Sequence, residues 1–255
     1  MKIIVLIKEV PDTWGERRLD LSTGLADRAA SQPTIDEINE RAVELALTYK
    51  DANPDTEVVV MTMGPATATN TLRKALAMGA TSAVHILDDR LAGSDVGWTA
   101  SALAAAIKRE GFDLIIAGNE STDGRGGVVP AMVAEHLGVP HATSLESALI
   151  SATAVSGERV DESETVAIEV ELPAVISITE RLPEGRFPSF KGTMTAKKRP
   201  LDRLDVGDLG VQLAESTSVI VSVAERPTRT AGVKIVDEGD AGRRIVAFLE
   251  SKRLI

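Results

Sequence analysis

Apolar positions in the first 140 residues of the chain follow two alternating rhythms. Ile3-Ile4-Val5-Leu6-Ile7 is an unbroken run rich in β-branched side chains, as expected of a strand covered on both faces in a parallel sheet. A polar loop, 11–33, follows; it is longer than most connections, and loops of that length often carry function. Asp36-Glu37-Ile38-Asn39 then leads into a stretch where Ile38, Ala42, Leu45 and Ala46 share one helical stripe. The cycle repeats. Residues 57–62 read as a strand, Met63-Gly64-Pro65 as a sharp turn, and 66–78 as a helix with Leu72, Ala75 and Leu76 on one face. Residues 83–87 and 113–117 read as strands, and 99–108 and 130–137 as helices, the last ending at Gly138. Pro65 and Pro130 sit where the first turn of a helix tolerates a missing amide donor.

Strands alternating with helices of this length imply right-handed crossovers and a mostly parallel sheet covered on both sides. The expected fold class is α/β, doubly wound. After residue 140 the rhythm changes: 144–150, 165–172 and 174–178 read as strands, with Ser156-Gly157-Glu158 as a polar turn between them. That pattern predicts an antiparallel addition to the sheet. From Glu180 onward periodicity weakens, and only 218–223 and 243–251 look like a strand and a terminal helix. The division is therefore 1–182 as the α/β domain and 183–255 as an extended C-terminal arm ordered by another chain. The alternatives are an arm packed back on its own domain, or one that is partly disordered.

Composition narrows the chemistry. The 255 residues include no cysteine, which removes disulfides, thiolate metal sites, iron–sulfur ligation and cysteine nucleophiles together. Lys and Arg number 28 against 38 Asp and Glu, a net charge of -10, which argues against a nucleic-acid binder. No apolar run approaches the roughly 20 residues needed to span a bilayer, so the protein is not expected in the membrane. The apolar start is too short for a signal peptide and meets Lys8-Glu9 at once, so a soluble, cytoplasmic chain is expected.

In open α/β sheets ligands bind beyond the carboxyl ends of the strands, which singles out 8–14, 63–65, 88–95 and 118–129. The last is the most informative. Gly118-Asn119-Glu120-Ser121-Thr122-Asp123-Gly124-Arg125-Gly126-Gly127-Val128-Val129 precedes a helix start at Pro130. Glycines that let the backbone approach closely, unpaired amides and the helix dipole together suit an anion, so a nucleotide or phosphate is the reading; a ligand-free connector is the plain alternative. The segment is neither a Walker loop nor GxGxxG. His85, His136 and His141 stand in no nucleophile motif, and no acidic cluster has metal-ligand spacing, so neither a catalytic residue nor a metal is assigned. Asp36-Glu37 would support a helix start or contact a ribose, and Asp88-Asp89 reads as solvated or capping. Arg186–Leu201 is the basic exception in an acidic chain, with Phe187, Phe190 and Met194 interleaved. It reads as an apolar anchor for a protein partner, unless the phenylalanines simply pack inward.

A family likeness rests on motifs spread in order over the whole chain. They are Ile-Val-Leu-Ile-Lys-Glu-Val-Pro-Asp-Thr at 4–13, Asp36-Glu37-Ile38-Asn39-Glu40-Arg41-Ala42-Val43-Glu44, Met63-Gly64-Pro65 and Arg73-Lys74-Ala75-Leu76-Ala77-Met78-Gly79-Ala80. Leu172-Pro173-Ala174-Val175, Arg186-Phe187-Pro188-Ser189, Ala196-Lys197-Lys198 and Arg229-Thr230-Ala231-Gly232 complete them. Together they closely resemble the electron transfer flavoprotein β subunit, including its nitrogen-fixation-associated bacterial homologues. The resemblance implies an adenine-nucleotide-binding α/β domain in a heterodimer with an α subunit, which holds most of the FAD while the C-terminal arm of this chain wraps around it. It implies an electron carrier, not an enzyme, passing electrons from acyl-CoA and other flavin dehydrogenases toward a membrane quinone oxidoreductase. It also implies a structural AMP in this subunit, contacted by Leu6, Asp36, Glu37, Ile38, Asn39, Met63 and the loop from Gly118 to Val129. Asp12, Thr13 and Trp14 would lie near the flavin. Phe190, with Phe187, Met194, Lys197 and Lys198, would dock the dehydrogenase. One departure concerns the nucleotide: Asp123-Gly124-Arg125-Gly126-Gly127-Val128 matches neither the acidic run of AMP-binding members nor the Asp-Gly-Asp-Thr of electron-bifurcating ones. AMP is the favoured occupant and a second FAD the alternative. A nucleotide-dependent ligase or hydrolase is disfavoured because an SGGxDS-like loop is absent. A stand-alone nucleotide-sensing stress protein would not need the long tail.

Overall fold

The computed structural model of the protein describes residues 1–15, 17–28, 30–211, 218–228, 232, 234 and 236–255; Arg229, Thr230 and Ala231 of the quoted motifs lie outside them. Strand β1 (Lys2–Leu6) is followed by a short antiparallel pair, β2 (Glu9–Pro11) and β3 (Pro33–Ile35), and by helix α1 (Glu37–Ala52). Next come β4 (Glu57–Met63), α2 (Ala68–Met78), β5 (Ser82–Ile86), α3 (Val96–Glu110), β6 (Leu114–Gly118) and α4 (Val129–Leu137). The chain continues through β7 (His141–Leu145), β8 (Ser147–Ile150), β9 (Ala154–Val160), β10 (Thr165–Glu171) and β11 (Ala174–Ile178). Helix α5 (Phe190–Ala196), β12 (Leu201–Leu204), α6 (Val206–Leu209) and α7 (Ala241–Ser251) follow.

Among the described residues seven strands form one sheet in the order β12-β5-β4-β1-β6-β11-β7, every neighbour parallel. The fold is the doubly wound α/β class expected from the alternating rhythm. Strand side chains point alternately to opposite faces, and here both faces are buried. Ile3 and Val5 of β1, Val58 and Val60 of β4, and Leu114 and Ile116 of β6 enter the layer shared with α1 and α2. Ile4 and Leu6, Val59 and Met61, and Ile115 and Ala117 enter the opposite layer, which holds Leu103 and Ile107 of α3 and Val133 of α4. Each large aliphatic group so removed from water contributes roughly 1.5–3 kcal/mol before entropy is counted. After β1 the chain builds outward through β4 and β5, then returns to place β6 on the other side of β1. That reversal opens a crevice beyond the carboxyl ends of β1 and β6.

Five expectations from the sequence are corrected. The stretch 144–150 is two strands: β7, in the main sheet, ends at Leu145, the chain bends at Glu146, and β8 begins at Ser147. The segment 174–178 is β11, a parallel strand paired with β6 and β7, not part of the antiparallel addition. Its five buried residues contrast with the alternating burial of Thr165–Glu171, and that difference was present in the sequence. Ser156-Gly157-Glu158 lies inside β9, the middle strand of the three-stranded antiparallel sheet β10-β9-β8. The polar composition reflects a sheet with one solvated face, and Gly157 is required because a Cβ there would overlap the Ser147 carbonyl oxygen. No strand forms at 218–223, whereas β12, unforeseen, adds to the edge of the main sheet beside β5. Pro65 also lies outside its helix, since α2 starts at Ala68; Pro130 occupies the first turn of α4 as expected.

Residues Met1–Val221 form one compact unit and Ser222–Ile255 a second. In the second, α7 has no buried residue, and Ile245 and Phe248 present apolar groups one turn apart. Among the described residues no helix is long and apolar enough to cross a membrane.

Replacing Gly157 by alanine is expected to lower the urea-unfolding free energy by about 1–3 kcal/mol through backbone overlap with β8. An unchanged urea midpoint would show that β8 and β9 do not approach as described.

Candidate functional site

The crevice is framed by the ends of three strands and closed by one loop. Leu6 ends β1, Met63 ends β4 and Gly118 ends β6; the loop runs from Gly118 to the start of α4 at Val129. Gly118 is fixed by space, since a Cβ there would come within 2.5 Å of Asn39 Nδ2 and 3.0 Å of Ile38 Cγ2. Asn39 in turn accepts the Lys8 backbone amide at 2.7 Å through Oδ1, so the exit of β1 and the exit of β6 share one side chain.

Asp36 is completely buried, and its two oxygens serve different elements. Oδ1 accepts the Ile38 amide at 3.0 Å and caps α1. Oδ2 accepts the Thr122 amide at 2.7 Å and the Thr122 hydroxyl at 2.8 Å. At the next residue, the Asp123 carboxylate accepts Lys8 Nζ at 2.7 Å and lies 3.6 Å from Arg28 Nη2. Burial pushes the Asp123 carboxyl up. The hydrogen bond and charge of Lys8, with Ser121 and the Gly124 amide, outweigh it and hold the group below the ordinary carboxylate range. Arg17 donates to the Thr122 carbonyl and, at 3.2 Å, to the Thr122 hydroxyl. The first half of the loop is thereby latched from α1, from β1 and from the long loop 11–33.

The second half is open. Arg125, Gly126, Gly127 and Val128 are exposed, with left-handed backbone at Arg125 (φ 48°) and Gly127 (φ 65°). No side chain caps α4, whose first-turn amides and dipole therefore favour an anion. Apolar groups border this opening: Val96 and Val128 are partly exposed, and a Cβ at Gly126 would sit 3.6 Å from Val96. At the start of the loop Asn119 Oδ1 is buried without a hydrogen-bond partner, an unused acceptor. The arrangement can hold an anionic group at the α4 terminus with a flat apolar group beside it.

Most residues singled out in the sequence meet at this crevice, though in different roles. Asp36 and Asn39 position the loop, while Ile38 is a core residue and Glu37 is exposed on the first turn of α1. Gly118 to Val129 form the closing loop itself. Asp12, Thr13 and Trp14 lie in the loop that carries Arg17 to Thr122, and Trp14 is 97% exposed. Phe187, Phe190, Met194, Lys197 and Lys198 form a separate patch on and around α5, which packs against α2. Exposures of 95% for Phe187 and 85% for Phe190 exclude the inward-packing alternative. His136 and His141 are exposed; His85 is buried, donates from Nε2 to the Gly64 carbonyl and accepts Thr69 Oγ1 at Nδ1. Asp88 caps a 3-10 turn and pairs with Arg90. Lys8, Arg17 and Arg28 were missed as loop anchors. Lys8 was findable as the first polar residue after the apolar run 3–7, whereas nothing local to Arg17 or Arg28 signals a contact about a hundred residues away.

Comparison with known proteins bears on this geometry. A family model described as the electron transfer flavoprotein domain matches residues 24–209. The chain is 46% identical over 263 aligned residues to the electron transfer flavoprotein subunit beta of Mycobacterium tuberculosis (strain H37Rv), covering 99% of each chain. Identity to the subunit beta of Mycobacterium leprae is 47%, with 99% of each chain covered. Subunit CarD of the caffeyl-CoA reductase-Etf complex of Acetobacterium woodii is 36% identical over the full length of both.

Asp36→Ala is expected to cost about 1–3 kcal/mol and to speed amide exchange at 119–124, because the Ile38 and Thr122 amides lose their acceptor; unchanged exchange would remove the latch. The depressed Asp123 carboxyl adds stability at neutral pH that is lost only as pH falls below about 4, through its lowered value. Asp123→Asn should abolish that acid-side loss in a pH series of unfolding curves.

Proposed function

The chain belongs to the electron transfer flavoprotein β-subunit family, electron carriers that pair with an α subunit, and on that premise we propose its working parts. The crevice holds one AMP as a permanent structural ligand. Its phosphate sits on the Arg125–Val128 backbone at the uncapped start of α4, and its adenine lies among Leu6, Met63 and the loop. The observation that carries this reading is a loop latched at Thr122 and Asp123 yet open at Arg125 to Val128. Its anion-seeking amides are thus held in place with no side chain to satisfy them. The residues present fit the group: Gly118 leaves space, Asn119 offers an unused acceptor, and Asp36 binds the loop instead of a ribose.

The FAD, held mainly by the α subunit, supplies the redox chemistry when bound. This chain orients and shields it: the loop bearing Asp12, Thr13 and Trp14 borders the flavin, and residues 183–255 supply the docking segment and the arm on the α subunit. The apolar groups of α7 support that role, since a helix with no buried residue needs a partner. Phe190, flanked by Phe187 and Met194 and by Lys197 and Lys198, anchors acyl-CoA and other flavin dehydrogenases, from which electrons pass to a membrane quinone oxidoreductase. The work is cytoplasmic. A second reading, a bifurcating carrier with FAD in place of AMP, is supported by Asp123-Gly124 in the loop and by the relative named as part of a caffeyl-CoA reductase-Etf complex.

Co-expression with an α-type partner should yield a stable yellow heterodimer that an acyl-CoA dehydrogenase reduces. A colourless, self-associating chain that hydrolyses ATP would overturn the assignment. Phe190→Ala should slow dehydrogenase-dependent reduction by about tenfold or more, with flavin content intact. Unchanged kinetics would refute the anchor.

A further inference from the structure

The docking segment combines full exposure at its tips with unusually complete anchoring at its base. Arg186 is held by helix α1: its backbone amide reaches Glu44 Oε2 at 2.9 Å, and its Nε and Nη2 grip both Glu44 oxygens at 2.8 Å. Its Nη1 meets Asp51 Oδ2 at 2.8 Å. Such a bidentate pair fixes direction as well as distance. Just upstream, Arg41 of α1 donates to the Leu182 carbonyl, and a Cβ at Gly185 would press on Glu40 at 3.1 Å.

The far end is fastened as firmly. Ser189 caps α5 by accepting the Gly192 amide at 3.0 Å, and Gly192 lies so close to the Ala77 carbonyl of α2 that no side chain fits. Arg73 of α2 donates to the Ala196 and Arg199 carbonyls at 2.7 and 3.0 Å. Arg199 returns the contact, donating to Gly79 at 3.1 Å and to Ala80. Between these clamps Phe187, Phe190 and Met194 (57% exposed) project with nothing to hold them but the frame.

Exposed phenylalanines on a free loop would collapse onto one another or lose ordering entropy on every encounter. Clamping the loop from both sides meets that cost within the fold. Building on the docking role proposed above for Phe190, we propose that Arg186, clamped by Glu44 and Asp51, is a positioning residue that preorganises this face for its partner protein. Its contacts run to α1. Its work is to set how tightly the dehydrogenase is captured, not how fast electrons move once it is bound.

The test uses the flavin-loaded heterodimer with Arg186→Gln, Glu44→Gln and the double variant. Hydrogen exchange at amides 187–196 should speed up about tenfold or more in each, with exchange in β1 and β6 unchanged. The KM of an acyl-CoA dehydrogenase for the heterodimer should rise about tenfold with kcat unaltered. The double variant should be no worse than Arg186→Gln alone, because that change already removes the contact with Glu44 along with the one to Asp51. Unchanged exchange in both single variants would overturn the clamp whatever the kinetics. Faster exchange with an unaltered KM would overturn its role in docking. If Phe190→Ala also left the KM unaltered, the docking reading would fail and the inference with it.

Discussion

The Asp36 carboxylate reaches no solvent and carries three hydrogen bonds, one at the first turn of α1 and two at Thr122. A carboxylate in that position without partners would be costly enough to reshape its surroundings, so α1 and the loop after β6 are held as one piece. The chain order β1–β4–β5–β6 creates the crevice, but this side chain gives it a fixed wall. Lys8 and Arg28 then pin Asp123, and only the stretch before α4 is left free to meet a ligand. Stability and function thus draw on the same few polar contacts at the carboxyl edge of the sheet.

Much of this was legible beforehand where the physics is local. Continuous apolar runs marked β1, β4 and β6, the 3.6-residue stripe marked α1, and glycines before a proline marked the loop and the start of α4. What escaped was non-local. The polar stretch 154–160 is a strand only because β8 and β10 flank it, and β12 exists only because β5 offers an open edge. Arg17 and Arg28 act on the glycine loop only through the fold of an irregular segment that no periodicity describes. Asp36 was read as a cap or a ribose contact. The first holds, while its second oxygen turns out to serve the protein.

The two functional surfaces are built by different rules. The crevice relies on backbone amides and glycines, with side chains acting behind the loop. The docking face relies on projecting aromatic groups, and arginines on α1, α2 and the segment itself tie the chain between them. Arginine suits that task because one guanidinium can serve two carbonyls, as Arg73 does, or two carboxylates, as Arg186 does. Helix α1 contributes to both surfaces, Asp36 and Asn39 at one end and Glu44 and Asp51 further along, which explains its dense polar use despite a buried apolar stripe.

A nucleotide census of the purified heterodimer bears most directly on the crevice. Denaturing the protein and separating the released cofactors by chromatography should give one AMP and one FAD per heterodimer, with the AMP resistant to prolonged dialysis. Two FAD and no AMP, or no adenylate beyond the single flavin, would contradict a crevice built for a resident mononucleotide.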